Sequence, residues 1–223
     1  MTVWIAIILA YALGAIPFSF LVARRVRGID LRKHGSGNLG ATNVYRTLGP
    51  GWGVSVLLLD MAKGAAAVLV MTLAITYWPE GENLPLHLPA DVWRIVAGLL
   101  AAVGHTASPF MNFHGGKGVA TTAGAYFVLA PYPLLITLGI FGIVLGVTRI
   151  VSIASITAAA VLPFSVLFFE IGSESFSKTI AIVTFLVCAW VIVKHRANIK
   201  RLQEGTEKPL ATDAVDNGEE PPR

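Results

Sequence analysis

Residues 119–148 read VATTAGAYFVLAPYPLLITLGIFGIVLGVT, and the way this uncharged stretch is divided decides the fold. A hydrocarbon core about 30 Å thick is crossed by a helix of about 20 apolar residues, so the stretch is too long for one upright helix. Proline has no backbone N–H and clashes with the preceding turn. Pro131 and Pro133, in the middle, therefore read as a tight reversal between two short spans, 119–130 and 133–147.

Working outward, five more apolar stretches lie at 3–22, 53–78, 90–104, 152–169 and 176–193. With 55% hydrophobic and 13% charged residues and a mean hydropathy of +0.69, the chain has a composition that soluble domains rarely show. Arg24, Arg25 and Arg27 follow the first apolar run; a cleaved signal peptide has its basic residues before the run, so a retained span is expected.

Charge sets the direction. Arg24, Arg25, Arg27, Arg32, Lys33 and Arg46 lie in the loop after the first span, and Lys194, Arg196, Lys200 and Arg201 follow the last. Cytoplasmic loops are rich in Lys and Arg. Only an odd number of spans puts both clusters inside, which the reversal at Pro131 supplies. The segments then left outside carry Glu80, Glu82, Asp91, Glu170 and Glu174 against Arg94 and Lys178. The expectation is an all-α integral membrane protein of seven transmembrane helices, N-terminus outside and C-terminus cytoplasmic. Residues 1–207 form a single polytopic domain, and 208–223 form a disordered tail rich in Pro, Asp, Glu and Ala.

The same features exclude several classes. The pI of about 9.4 reflects basic residues flanking apolar spans, so no nucleic-acid partner is expected. The lone Cys188 permits no internal disulfide and no cysteine metal cluster. The histidines are scattered away from Asp and Glu, so neither a metal nor a cofactor is expected.

Three loops are richer than connections need to be. The first reads GSGNLGATNVYR, Gly35 to Arg46. Glycines let backbone N–H groups converge on an anion; Ser36, Asn38, Thr42 and Asn43 can hydrogen-bond phosphate or hydroxyl oxygens, and Arg46 offers a planar fork. A well-capped turn with Arg46 at the membrane boundary is the plainer alternative. The second joins Gly104 and His105 to Gly115, Gly116, Lys117 and Gly118 ahead of a helix start, the ingredients of a phosphate cradle in which backbone donors and helix dipole act together. It is not a nucleoside-triphosphate P-loop, because Met111 and Gly118 occupy positions where that motif needs Gly and Ser or Thr. His105 and His114 could serve as metal ligands or bases, but single histidines at a membrane boundary are more often hydrogen-bonded interface residues. In the third, His195, Asn198 and Leu202 share a helix face and Gly205 ends the helix; taken alone it reads as a basic helix on anionic lipid. Seven spans bring all three loops to the cytoplasmic side. Asp60 and Lys63, one turn apart inside the second span, form an ion pair or reach toward the site.

Together the loops resemble the signature regions of the acyl-phosphate-dependent glycerol-3-phosphate acyltransferase family, PlsY, over nearly the whole chain apart from the tail. The matching residues are Ser36-Gly37-Asn38, Gly40 to Asn43 and Arg46; then Gly104-His105 and Gly115 to Thr121; then His195-Arg196, Asn198 to Leu202 and Gly205 to Glu207. Leu39 stands where that family usually has proline, and Ala197 where a glutamate is frequent. A larger apolar stretch is usual in place of Thr106-Ala107-Ser108.

The resemblance implies transfer of a fatty acyl group from acyl phosphate to the sn-1 hydroxyl of glycerol 3-phosphate, at the cytoplasmic face of the bacterial inner membrane, with membrane lipid around it. It makes Ser36, Lys117 and His195 catalytic candidates. Gly37, Asn38, Gly40, Thr42, Asn43, Arg46, His105, Gly115, Gly116, Gly118, Asn198, Arg201 and Glu207 are the substrate contacts it implies. A transporter of a phosphorylated or other anionic solute competes with this reading, but the polar residues cluster at one face rather than at a midplane, and no two-half repeat is visible.

Overall fold

The computed structural model describes residues 2–78, 84–170 and 178–210, and every regular element among them is helical. In chain order these are α1 (Thr2–Ala15), α2 (Phe18–Arg27), α3 (Ala41–Leu48), α4 (Pro50–Thr76), α5 (Ala90–Thr106), α6 (Val119–Leu129), α7 (Pro131–Thr148), α8 (Val151–Glu170), α9 (Lys178–Lys194) and α10 (Arg196–Gln203). Glu80, Glu82 and Glu174, invoked above, lie outside the described residues, as do the start of the 176–193 stretch and the tail beyond Leu210.

Four stretches are long and apolar enough to cross a membrane: Thr2–Arg27, Pro50–Thr76, Pro131–Thr148 and Val151–Phe169. A fifth is Lys178–Lys194 taken together with Arg196–Gln203, bent by 54° between them. At 17 and 11 residues, α5 and α6 fall short of the about 20 that an upright span needs. Large apolar side chains such as Ile8, Leu58, Ile143, Phe168 and Leu186 point outward from the bundle, the inverse of a soluble surface.

One proline of the expected pair marks a helix start, Pro133 lies inside that helix, and Pro17 adds a break. Ala130 ends α6 with extended φ and Pro131 opens α7, so the long stretch divides where its prolines stand. The first span, expected to run through 3–22 unbroken, is instead two helices parted at Ile16 and Pro17. Pro17 cannot donate to the preceding turn. The Ile16 carbonyl at the break accepts from the Lys63 ammonium of α4 at 2.9 Å.

Small residues let the helices close. Val3, Ala6 and Ala10 of α1 pack with Ala67 and Met71 of α4 and with Trp93, Ala97 and Ala101 of α5. A Cβ on Gly104 would strike the Tyr11 carbonyl, and one on Gly124 the Met61 carbonyl, so α1 meets α5, and α4 meets α6, backbone to backbone. This is the packing available where lipid removes the usual hydrophobic drive. A second cluster joins Tyr126, Leu134, Leu162, Val166 and Val191 of α6 to α9. A third, with Leu31, Leu39, Val44, Val56 and Met111, anchors the first polar loop to the base of α4 and fixes the position of the site.

Candidate active site

All sixteen residues singled out from the sequence line one cavity of about 440 Å³. The first loop and α3 bring Ser36, Gly37, Asn38, Gly40, Thr42, Asn43 and Arg46; the end of α5 and the loop after it bring His105, Gly115, Gly116, Lys117 and Gly118. His195 in the α9–α10 bend, Asn198 and Arg201 on α10, and Glu207 beyond it complete the set.

Within the first loop the Asn43 side chain is buried and spent on the backbone. Its amide donates to the carbonyls of His34 at 3.0 Å and Asn38 at 3.1 Å, while its oxygen accepts from Ser36 N–H at 3.0 Å. Asn43 thus ties the loop into the curve that carries Ser36 and Asn38. The sequence reading treated this segment as loop throughout, whereas Thr42, Asn43 and Arg46 stand on helix α3.

The second loop departs from the cradle read in its sequence. The N–H groups of Gly115 and Gly116 donate to the carbonyls of Thr106 and His105, both at 3.1 Å. The last carbonyls of a helix need partners, and the end of α5 takes these two, leaving neither amide for an anion. Donors facing the cavity come instead from the first turn of α6, opened by Gly118 with φ +82°. Gly116 has a different task, since a Cβ there would meet the Leu39 carbonyl and His105 Nε2. Its lack of a side chain lets the first two loops touch.

Lys117 follows, half-buried, and donates to the Asn198 side-chain oxygen. Burial pulls its pKa down to about 8; Glu207 opposes the shift, and the positive charges of Arg201 and Arg46 add to it. His195 lies past the end of α9, 2% exposed. Its Nδ1 is 2.8 Å from the Val191 carbonyl, which can only accept, so we place the proton on Nδ1 and the lone pair on Nε2. Burial, with Lys117 nearby, lowers its pKa to about 4.

Glu207 links the third region together. It accepts from Ser152 Oγ at 2.7 Å, Asn198 Nδ2 at 2.6 Å and Arg201 Nε at 2.5 Å. Burial pushes its carboxyl up, but these hydrogen bonds outweigh burial and hold it below the ordinary carboxylate range. Arg46 Nη2 donates to the Lys208 carbonyl at 2.6 Å, which draws the chain beyond α10 across to α3.

The cavity carries more positive than negative charge, with Arg46, Lys117, Lys194 and Arg201 lining it against Asp60 and Glu207. Ala41 and Thr42, Val119 and Ala120, Val151 and Ser152, and Ala197 line the cavity, so the N-terminal ends of α3, α6, α8 and α10 surround it. Among the described residues no side chain caps the first turn of α3 or α6. Helix N-termini carry unpaired N–H groups and partial positive charge, and four of them together with Arg46, Lys117, Lys194 and Arg201 make a site for anions. Leu57, Phe141 and Val151 give the same cavity an apolar side.

Sequence reasoning missed Ser152 and Ser155, one turn apart at the start of α8, and left Asp60 undecided; all three line the cavity. The signal for the serines was their place at the N-terminal end of an apolar helix. Among the described residues no group of three or more His, Cys, Asp or Glu side chains is placed to hold a metal ion.

Comparison with known proteins identifies the family. The family model described as glycerol-3-phosphate acyltransferase matches residues 4–205. The glycerol-3-phosphate acyltransferase of Acaryochloris marina is 41% identical, with 96% of this chain and 100% of the relative covered; that of Geotalea daltonii is 43% identical, covering 91% and 95%. Among solved structures, the glycerol 3-phosphate form of PlsY, an integral membrane glycerol 3-phosphate acyltransferase, superposes with a TM-score of 0.78 at 33% identity over 94% of this chain and 96% of that one. Its lysophosphatidic acid form gives 0.75 at 34%, over 94% and 95%. With the match running from the first helix to the turn after the last, the chain belongs to the glycerol-3-phosphate acyltransferase family.

Proposed function

We propose that this protein transfers a fatty acyl group from acyl phosphate to the sn-1 hydroxyl of glycerol 3-phosphate, releasing lysophosphatidic acid and inorganic phosphate for phospholipid synthesis. The observation that carries the reading is the cavity itself: three polar loops, four helix N-termini and four cations meet beside an apolar wall. The two substrates between them present two phosphate groups and one alkyl chain, and an anion site with an apolar side accommodates that combination.

In this reading Lys117 and the first turn of α6 hold the acyl phosphate head, Leu57, Phe141 and Val151 lie along the start of its chain, and Arg46, Ser36 and Asn38 hold glycerol 3-phosphate. The hydroxyl oxygen attacks the acyl carbon, the bond from that carbon to the phosphate oxygen breaks, and phosphate leaves. A good leaving group needs little more than positioning and charge stabilisation. His195 Nε2 accepts a hydrogen bond from the hydroxyl and orients it. A base with a pKa of about 4 is poorly matched to removing that proton near neutral pH, so the proton passes to the departing phosphate. Ser36 contributes a hydrogen bond and forms no acyl intermediate.

The site faces the cytoplasm, where glycerol 3-phosphate is soluble, in the inner membrane of a bacterium. Seven membrane segments with the N-terminus outside bring the three loops to that side, α5 and α6 serving as shortened spans. A reporter fused after Arg201 should be active only in its cytoplasmic form.

The decisive test incubates purified protein with acyl phosphate and labelled glycerol 3-phosphate. Labelled lysolipid with stoichiometric phosphate is the expected result. Absence of product, or uptake of label into proteoliposomes without product, overturns the assignment.

A further inference from the structure

Beside the cavity lies a buried group that the mechanism above does not use. The Lys63 ammonium sits 2.9 Å from the Ile16 carbonyl, 2.9 Å from His105 Nδ1 and 2.8 Å from Asp60 Oδ1. Asp60 and Lys63 are 1% and 4% exposed. Ionisable side chains inside a membrane bundle are costly and mark function more often than stability, and a buried pair seldom repays its own desolvation.

The chemistry of the contact fixes the histidine. An ammonium is a donor only, so at 2.9 Å His105 Nδ1 must accept. Asp60 Oδ1, at 3.5 Å from the same nitrogen, is too far to compete for it as a hydrogen-bond acceptor. The imidazole proton is therefore on Nε2. That nitrogen lies against Gly116, where a Cβ would collide with it, and His105 lines the cavity next to Gly116 and Lys117. The Ile16 carbonyl, exposed by the Pro17 break, and Asp60 anchor the ammonium from its other sides.

We infer that Lys63 is a positioning residue: by donating to Nδ1 it locks His105 in the Nε2–H form and makes it a fixed hydrogen-bond donor to a phosphate or phosphoryl oxygen beside Lys117. Asp60 pairs with the ammonium and holds it in place. This rests on the cavity binding a phosphate group, as proposed above, and assigns the break in the first span a purpose, since the Ile16 carbonyl there accepts from Phe18 N–H and still has a lone pair for the lysine.

The test is a cycle of four proteins: the native chain, Asp60→Asn with Lys63→Met, His105→Gln, and all three changes together. Changing Asp60 and Lys63 together avoids stranding a buried carboxylate. A glutamine side-chain N–H reaches about where Nε2–H does and needs no lysine to choose its tautomer. With His105 in place the paired change should lower kcat/KM at least about tenfold, the scale of a misplaced donor to developing charge. In the His105→Gln background the loss should be under about threefold, because coupled residues are not additive. Equal losses in the two backgrounds would mean that Lys63 only supports the bundle, and overturn the inference. ¹⁵N spectra of histidine-labelled protein should show unprotonated Nδ1 at His105 in the native chain; a protonated Nδ1 there overturns it as well. Reading the cycle a second time as affinity for inorganic phosphate keeps the two proposals apart. A native chain that makes no lysolipid counts against the acyltransferase reading, whereas equal losses of phosphate affinity in the two backgrounds count against Lys63.

Discussion

The Lys117 ammonium donates to the side-chain oxygen of Asn198, 81 residues further along the chain. Asn198 turns its amide N–H to Glu207 at 2.6 Å, and Glu207 also accepts from Ser152 and Arg201. The second and third motif regions are therefore one hydrogen-bonded unit. Asn198 aims the lysine without neutralising it, which a carboxylate at that position would do.

Asn198→Ala removes the acceptor from Lys117 and a donor from Glu207. A hydrogen bond to a charged group contributes about 1.5–3 kcal/mol, so kcat/KM should fall about 10- to 150-fold. The ammonium itself remains, so the effect of Asn198→Ala should be smaller than that of Lys117→Ala. Steady-state rates of phosphate release with the three proteins check the ranking, and an Asn198→Ala loss matching Lys117→Ala would contradict it.

With a pKa of about 8, Lys117 loses its charge as pH rises through that value in the empty enzyme. Deprotonation weakens phosphate binding, so kcat/KM, which reports free-enzyme groups, should bend downward above about pH 8. Lys117→Arg, whose guanidinium keeps its proton to above about pH 12, should lose this alkaline limb even if its rate is lower. A profile for the native chain that stays flat well above the bend would remove Lys117 as its source.

Gly116→Ala should disable the site without unfolding the bundle. The new Cβ would strike the Leu39 carbonyl and the His105 ring, forcing apart the two loops that form the cavity. Gly142 on α7 is the matched control, because a Cβ there meets nothing within 4 Å. Gly116→Ala is expected to lower kcat/KM at least about tenfold, as a displacement of about 1 Å is enough to do, while Gly142→Ala stays near the native rate. Thermal unfolding in detergent should separate the two effects.

Much of this was legible because membrane constraints are severe. Charge placement and the Pro131–Pro133 pair pointed to three loops on one side, and the sixteen residues taken from them do share a cavity. What escaped depends on three-dimensional contact. Pro17 lies within an apolar run whose hydropathy does not drop there, so the division into α1 and α2 was hidden. The amides of Gly115 and Gly116 looked free because the carbonyls that claim them, Thr106 and His105, sit on a preceding helix end. Ser152 and Ser155 read as ordinary small residues of a span until the start of α8 is seen at the cavity wall. The sequence reading allowed Asp60 and Lys63 to pair or to reach toward the site; they pair, and Asp60 also lines the cavity.

His195 offers the sharpest test of where the hydroxyl proton goes. Its Nδ1 is committed to the Val191 carbonyl, and burial near Lys117 holds its pKa at about 4, so Nε2 is unprotonated throughout the neutral range and can accept a hydrogen bond. His195→Gln replaces it with an amide oxygen that accepts the hydroxyl hydrogen yet cannot take up a proton. If His195 only orients the hydroxyl, kcat for His195→Gln should fall less than about 100-fold, the lower end of what losing a general base costs. The kcat/KM profile of the native chain should also show no acid limb assignable to His195 between about pH 5 and 7. A fall of about a thousandfold or more, with an acid limb that disappears in His195→Gln, would instead identify the imidazole as the proton acceptor and move the departing phosphate out of that role.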